Sequence, residues 1–253
     1  MERRFEQGHG VRSRSLASFL VSPRERHPIF VSVCAILLLG VALAEFAAQD
    51  SGPFGWDRAL TDLGLVDVQT ICPDIQVDLK YATEGNFLRK NVYGDLRKCY
   101  LVKEAASNLA AAQKNLASLK PGWRLKVFDG ARPRRIQAIM WGLVKGTRQQ
   151  HFVANPSSGS NHNYGAAVDL TIVDEKGREL DMGTPFDFFG ELAEPRLEDA
   201  FLKKGMLTAN QVQNRLLLRR VMIEAGFLSI SSEWWHFDAF PTDVIRKRFR
   251  VIE

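Results

Sequence analysis

Helix and strand signals alternate along the hydrophobic pattern of the chain after residue 100. Segments of helix-favouring composition with helix end signals predict three helices, at residues 102–119, 136–144 and 209–226. Alternating apolar and polar positions predict a strand at residues 123–129, and two further strand-like segments lie at residues 166–174 and 232–240. The two kinds of element are mixed without a repeated βαβ unit, which favours an α+β fold. We therefore expect a single domain with a small antiparallel sheet flanked by helices.

The first 44 residues have a different pattern. An uncharged apolar run at residues 29–44 follows a basic region, residues 1–28, that contains six arginines. This order predicts an export signal that engages the membrane and places residues 45–253 in the periplasm or otherwise outside the cytoplasm. The run ends in a small-x-small sequence that fits cleavage after Ala44. It is also nearly long enough to remain as an anchor, and both outcomes stay open.

Charge excludes one class of partner. The whole chain has 34 Lys and Arg against 29 Asp and Glu, but from residue 45 onward the balance is only 28 against 26. A nearly neutral domain has no basic stripe to follow a phosphate backbone. Nucleic-acid binding is therefore not expected, and the sequence does not determine the oligomeric state.

Two cysteines, Cys72 and Cys99, follow the apolar run. They have no zinc-like spacing, and a pair of cysteines in an oxidising compartment favours a disulfide. Two buried free thiols are the alternative.

A short motif carries the first candidate chemistry. The sequence SGSNHNYGAAVDL, residues 158–170, places His162 seven positions before Asp169, with small residues between them. A catalytic zinc needs about three protein ligands, from imidazole or carboxylate groups, and an open position. A turn at Gly165 into the following strand would bring Asp169 back toward the ion. A structural hydrogen-bonded pair is the simpler alternative for a histidine near an aspartate.

A second motif supplies the missing groups. His236 in SEWWHF is the best third ligand, because the remaining histidines precede the apolar run or lack a partner motif. Glu233 stands three positions earlier, next to Trp234 and Trp235. A carboxylate against aromatic walls is desolvated, which raises its pKa and suits it to accept a proton from the attacking water.

Both motifs resemble those of a known enzyme family. SGSNHNYGAAVDL matches the pattern S-x-H-x-x-G-x-A-x-D, and EWWH matches E-x-W-H, of the zinc D-alanyl-D-alanine dipeptidases of the vancomycin-resistance type. Four further segments resemble the family in the same order, at residues 81–87, 128–133, 182–189 and 214–227. The resemblance therefore extends from about residue 70 to about residue 240.

The resemblance implies a role for each matching residue. It implies one zinc per chain at the sheet, held by His162, Asp169 and His236, with Glu233 as general base and acid. Arg132 resembles the arginine that steadies the charge on the scissile carbonyl, although a structural salt bridge is its alternative role. Three more residues resemble those that border the dipeptide pocket, with the aspartate facing the free amino group: Tyr81, Ser160 and Asp187.

The implied activity is hydrolysis of D-Ala-D-Ala to two D-alanines, in cell-wall turnover or recycling. This chain departs from the family where Glu194 and Pro195 replace histidines and where Ala131 replaces a common tyrosine, and these changes are expected to alter the pocket wall and open the site. A D,D-carboxypeptidase or endopeptidase acting on longer peptidoglycan stems is the nearest alternative. A catalytically silent wall-binding module is disfavoured, because such a module needs no base.

Overall fold

The computed structural model describes residues 55–253. The basic region, the apolar run and the possible cleavage site lie outside the described residues. Within residues 55–253, no helix combines the length and the apolar character needed to cross a membrane.

Helices and strands alternate irregularly along the described chain. The seven helices there are α1 (Trp56–Asp62), α2 (Val68–Ile71), α3 (Lys103–Leu119), α4 (Arg134–Val144), α5 (Glu198–Lys203), α6 (Ala209–Glu224) and α7 (Thr242–Arg248). The seven strands there are β1 (Leu65–Asp67), β2 (Gln76–Val77), β3 (Tyr100–Val102), β4 (Arg124–Asp129), β5 (Ala167–Val173), β6 (Leu228–Ser229) and β7 (His236–Asp238). Short 3-10 turns lie at Lys80–Ala82, Gln150–Phe152, Asn161–Tyr164, Glu191–Ala193 and Pro195–Leu197.

A five-stranded sheet forms the centre of the domain, in the order β2-β4-β5-β7-β6. β2 pairs with β4 in parallel, and the other neighbouring strands are antiparallel. Every residue of β5 is buried, which explains its nearly continuous apolar sequence. A separate antiparallel ribbon joins β1 to β3. The predicted α+β class is confirmed, and the predicted antiparallel sheet has one parallel pair at its edge.

Two long helices pack against each other beside the sheet. α3 buries alanine and leucine side chains at helical spacing, including Ala105, Leu109 and Leu116. α6 begins with a capping box, in which the side chains of Thr208 and Gln211 each accept from the other's backbone N–H. Both helices end within about two residues of the predicted positions.

The predicted strand at 232–240 is much shorter in the structure, where only His236–Asp238 pair as β7. Trp234 and Trp235 are buried outside the strand. The Trp234 backbone N–H donates to the Ala193 carbonyl, 3.1 Å away, so its hydrogen bond goes to a loop instead of a strand. Trp234, Trp235 and Ala239 are buried although they lie outside the paired residues, so burial and not strand pairing explains their apolar character.

The predicted disulfide is wrong in this structure, because Cys72 and Cys99 are free thiols. Cys99 is buried, and its sulfur packs so closely on Gly130 that a Cβ built there would lie 2.5 Å from Sγ. Cys72 caps the end of α2 and is partly exposed. A disulfide needs a specific approach of both Cβ atoms, which a compartment argument does not supply.

Candidate active site and metal centre

One row of residues crosses the centre of the sheet and carries the candidate metal ligands. Asp129 at the end of β4 is paired with Asp169 on β5, and Asp169 is paired with His236 on β7. Neighbouring strands lie about 4.8 Å apart, so side chains on one face of such a row meet. The sheet register therefore brings together groups that are far apart in sequence.

The third candidate ligand approaches this row from a turn. Ser160 Oγ accepts from the His162 backbone N–H, 3.4 Å away, at the start of the turn Asn161–Tyr164. Gly165 then ends the turn with a φ of +62°, and a Cβ there would lie 2.7 Å from Leu65 Cδ2. Glycine is needed for both the backbone angle and the close packing. The chain enters β5 directly afterwards, as the motif predicted.

Three ligand atoms converge at nearly equal distances. His162 Nε2 lies 3.1 Å from His236 Nδ1 and 3.3 Å from Asp169 Oδ1, and His236 Nδ1 lies 3.0 Å from the same oxygen. All three residues are buried. Tetrahedral zinc with bonds of about 2.0–2.1 Å separates its ligand atoms by about 3.3 Å. The triangle therefore has the dimensions and the donor types of a zinc site.

Outer contacts orient both imidazoles. His162 Nδ1 lies 2.8 Å from the Gly130 carbonyl oxygen, which can only accept, so Nδ1 carries hydrogen and Nε2 faces the site. His236 Nε2 lies 3.0 Å from Asp238 Oδ1, which leaves Nδ1 facing the site. Such partners are typical of metal-binding histidines.

The centre favours positive charge. Burial alone would raise the pKa of Asp169, but the charges and hydrogen bonds of His162 and His236 lower it well below its ordinary value. Burial alone would lower the pKa of His236, but hydrogen bonds to Asp169 and Asp238 raise it. The protein thus holds an ionised carboxylate at the centre that a bound cation would neutralise.

All eight residues singled out in the sequence line one cavity: Tyr81, Arg132, Ser160, His162, Asp169, Asp187, Glu233 and His236. Burial raises the pKa of Glu233 to about 7, and the charge of Asp169 also raises it, against the opposing effect of His236. Trp235 lines the same cavity and is almost fully buried. Burial therefore brings the carboxyl group toward the range in which it gains and loses a proton near neutral pH.

The contacts of Arg132 are compatible with both of the roles considered for it. Its Nε and Nη2 donate to Asp129 Oδ2 at 2.8 and 2.5 Å, and its Nη1 donates to Gln137 Oε1 at 3.0 Å. Asp129 is completely buried and also accepts from the Tyr93 hydroxyl at 2.5 Å. The salt bridge fixes the guanidinium, which still lines the cavity and lies 3.5 Å from Asp169 Oδ2.

Asp187 lines the same cavity and contacts Tyr81 there. Its backbone has a φ of +59°, and its carboxylate accepts from the Tyr81 hydroxyl at 2.9 and 3.1 Å. Burial raises the pKa of Asp187 well above its ordinary value, and negative charge at Asp169 and Glu233 acts in the same direction. A cationic group in the cavity would relieve this cost.

Several cavity residues were missed in the sequence. Phe152 and Phe189 stack with their ring centroids 5.2 Å apart, and Phe87 packs on Phe189 at 4.8 Å. His151, which the sequence reasoning set aside, also lines the cavity. Asp129 and Asp238 were missed as outer partners. The sequence did carry a signal for Asp238, because it stands two positions after His236 and residues two apart on a strand share a face.

The departures from the family pattern do not reach the cavity. Glu194 and Pro195 are not among its lining residues, and Glu194 is instead buried in an ion pair with Arg196. Ala131 is also absent from the lining, and its N–H donates to the Tyr100 carbonyl, 2.9 Å away. These three positions therefore contribute no side chain to the cavity, and their effect on the substrate range stays a prediction.

Comparisons with known proteins identify the family. The family model described as D-ala-D-ala dipeptidase, of peptidase family M15, matches residues 61–252. The chain is 39% identical over 174 residues to the D-alanyl-D-alanine dipeptidase of Escherichia coli K12, covering 69% of this chain and 83% of that relative. It is 30% identical over 193 residues to the D-alanyl-D-alanine dipeptidase of Enterococcus faecium, covering 70% of this chain and 91% of that relative.

Proposed function

The chain belongs to the D-ala-D-ala dipeptidase family of M15 peptidases, and from this premise we propose that it is a zinc-dependent dipeptidase that hydrolyses D-Ala-D-Ala to two D-alanines. The motif resemblance is thereby confirmed at the level of the family. The observation that carries the proposal is the triangle of His162, Asp169 and His236 in one cavity with Glu233. That cavity holds about 230 Å³, less than the roughly 300–1,000 Å³ of drug-sized pockets, which suits a dipeptide.

His162, Asp169 and His236 would hold one zinc ion. Zinc bound there would polarise the scissile carbonyl and lower the pKa of a water molecule. The donor set of two imidazoles and one carboxylate suits zinc, and three protein ligands leave a position open for chemistry.

Glu233 would act as general base and then as general acid. It takes a proton from the attacking water and returns a proton to the amine that leaves when the peptide bond breaks. A pKa of about 7 suits both steps, because the group gains and loses a proton readily near neutral pH.

Arg132 would stabilise the oxygen of the scissile carbonyl as it gains negative charge. Its two hydrogen bonds to Asp129 and one to Gln137 hold the guanidinium before substrate arrives. A donor that is already in place needs no reorganisation when the charge develops, which is how such groups lower an activation barrier.

Asp187 would bind the free ammonium group of the dipeptide, with Tyr81 holding the carboxylate in place. Ser160 borders the same pocket beside His162. The buried carboxylate favours a cationic partner, and the amino terminus of a dipeptide supplies one.

A D,D-carboxypeptidase acting on longer stems is the second candidate, and one observation favours it. A shallow depression lined by Glu84, Arg89 and Phe186 shares Asp187 and Phe87 with the cavity. The amino end of the pocket therefore leads toward the surface, where a longer peptide would continue.

The test combines metal analysis with substrate choice. Purified protein should contain about one zinc per chain, lose D-Ala-D-Ala hydrolysis when a chelator removes it, and recover when zinc returns. Faster release of D-alanine from a stem pentapeptide than from D-Ala-D-Ala would favour the second candidate. Full activity of metal-free protein on either substrate would contradict both.

We also propose that residues 45–253 form the catalytic domain outside the cytoplasm, where it would serve cell-wall turnover or recycling. The apolar run at 29–44 behind six arginines supports export and a membrane contact there. Fractionation of cells that express the full chain tests the location. Recovery of the protein only in the cytoplasm would contradict export.

A further inference from the structure

Arg215 on α6 is a buried arginine that reaches the segment carrying Asp187. Its side chain is 0% exposed. Nε donates to the Met182 carbonyl oxygen at 2.6 Å, and Nη2 donates to the Leu192 carbonyl oxygen at 3.1 Å. These two carbonyls stand at the ends of residues 182–192, with Asp187 at the centre. The Arg215 guanidinium therefore donates a hydrogen bond to the backbone at each end of the segment 182–192.

The same guanidinium also contacts the residue next to Glu233. Its central carbon lies 5.9 Å from the centroid of the Trp234 ring. Trp234 Nε1 in turn donates to Thr184 Oγ1 at 2.8 Å, within the same segment. Arg215 and Trp234 thus join the wall that carries Asp187 to the wall that carries Glu233.

The segment depends on such contacts for its shape. Asp187 has a φ of +59°, which a residue with a side chain keeps only when its surroundings hold it. The regular structure within residues 182–192 is limited to the start of the 3-10 turn Glu191–Ala193. Contacts from α6 therefore hold the conformation of this segment, which lacks the regular hydrogen bonds of a helix or strand.

The positive charge of Arg215 is balanced by Glu198, outside the segment 182–192. Arg215 Nη1 lies 3.5 Å from Glu198 Oε1, and Arg219 Nη2 donates to both oxygens of Glu198 at 2.8 and 2.9 Å. Within residues 55–253, Arg219 donates its side-chain hydrogen bonds to Glu198 and not to residues 182–192. A change at Arg219 therefore perturbs the ion pair without releasing the segment.

We propose that Arg215 is a positioning residue that holds Asp187 where the ammonium group of the substrate binds, and that it thereby sets the preference for a free amino terminus. The inference rests on the proposed dipeptidase function. It assigns to α6 a part in substrate selection, although α6 itself supplies no residue to the cavity lining.

Arg215→Lys tests the proposal, because one ammonium group cannot donate to both carbonyls in the fork geometry of a guanidinium. We expect kcat/KM for D-Ala-D-Ala to fall about tenfold or more, mainly through a higher KM. For N-acetyl-D-Ala-D-Ala, which lacks the ammonium, we expect a change of less than about threefold. Bound zinc should stay at the wild-type level, and Arg219→Lys should keep the wild-type ratio between the two substrates.

The proposal would be overturned if kcat/KM in Arg215→Lys fell by the same factor on both substrates, or fell on neither, because the ratio between the substrates would then stay at the wild-type value. If circular dichroism shows that Arg215→Lys does not fold, Arg215→Gln replaces it, since the shorter, uncharged amide cannot donate to both carbonyls. An unchanged ratio in Arg215→Gln would then overturn the proposal. Equal cleavage of both substrates by the wild type would instead contradict the role proposed for Asp187, so the two failures are distinguishable.

Discussion

Replacing Asp238 by alanine tests whether groups outside the three ligands prepare the metal centre. Asp238 Oδ1 lies 3.0 Å from His236 Nε2, on the side of the imidazole that faces away from the ligand triangle. A carboxylate at this place keeps the hydrogen on Nε2 and makes Nδ1 a better metal ligand. Asp238→Ala keeps all three proposed ligands and removes this support, together with a side-chain contact to Asn161.

The expected magnitude follows from the kind of contact and its burial. Loss of such an outer partner weakens metal binding by about 10- to 100-fold, or about 1.4 to 2.7 kcal/mol. The Asp238 side chain is only 13% exposed, so water replaces it poorly and the effect should lie in the upper half of that range. Asp238→Asn keeps a hydrogen-bond acceptor without the charge, and its loss should be about tenfold.

Zinc affinity would be measured at neutral pH by competition with a chelating dye, and hydrolysis at increasing zinc. Excess zinc should restore most of the activity of Asp238→Ala, because Glu233 and Arg132 are untouched. Asp243→Ala is the matched control, since Asp243 is an exposed carboxylate on α7 that pairs with Lys247. Unchanged zinc affinity in Asp238→Ala would refute the reasoning.

Four further predictions concern the base, the substrate and the thiols. Glu233→Gln should keep zinc while turnover falls by roughly two orders of magnitude, and zinc loss would instead make Glu233 a ligand. In the wild type, kcat/KM should rise with pH and level off at or below about pH 7, because Glu233 must be deprotonated to act as the base and a nearby zinc would only lower its pKa. A kcat/KM that does not change with pH below pH 7 would contradict this. N-acetyl-D-Ala-D-Ala should be cleaved at least about thirtyfold less efficiently than D-Ala-D-Ala, with Asp187→Ala narrowing the gap, because blocking the amine leaves a buried charge unpaired. Peptide mapping without reduction should find Cys72 and Cys99 separately alkylated, and a linked pair would contradict the structure.

Local sequence was sufficient for the parts of this protein that depend on residues close together in the chain. The helices at 103–119 and 209–224 follow from helix-favouring composition and their end signals. The turn at Gly165 follows from a glycine between His162 and Asp169. Such features are predictable because a backbone angle or a helix face involves only near neighbours.

Long-range packing decided the remaining features. Asp129, Asp169 and His236 form one row only because β4, β5 and β7 pair in that register. The stacked rings of Phe152 and Phe189 meet across the cavity from separate segments.

Motif chemistry by itself determined the family, the eight candidate residues and the type of metal ligand, because those depend on which side chains are present and how they are spaced. Only the tertiary structure decided what supports them, such as the Asp129 anchor of Arg132 and the Arg215 contacts to Met182 and Leu192. It also decided that Cys72 and Cys99 remain apart as free thiols. The physical reason is that hydrogen bonds, ion pairs and disulfides require distances and directions that arise only when distant segments pack together.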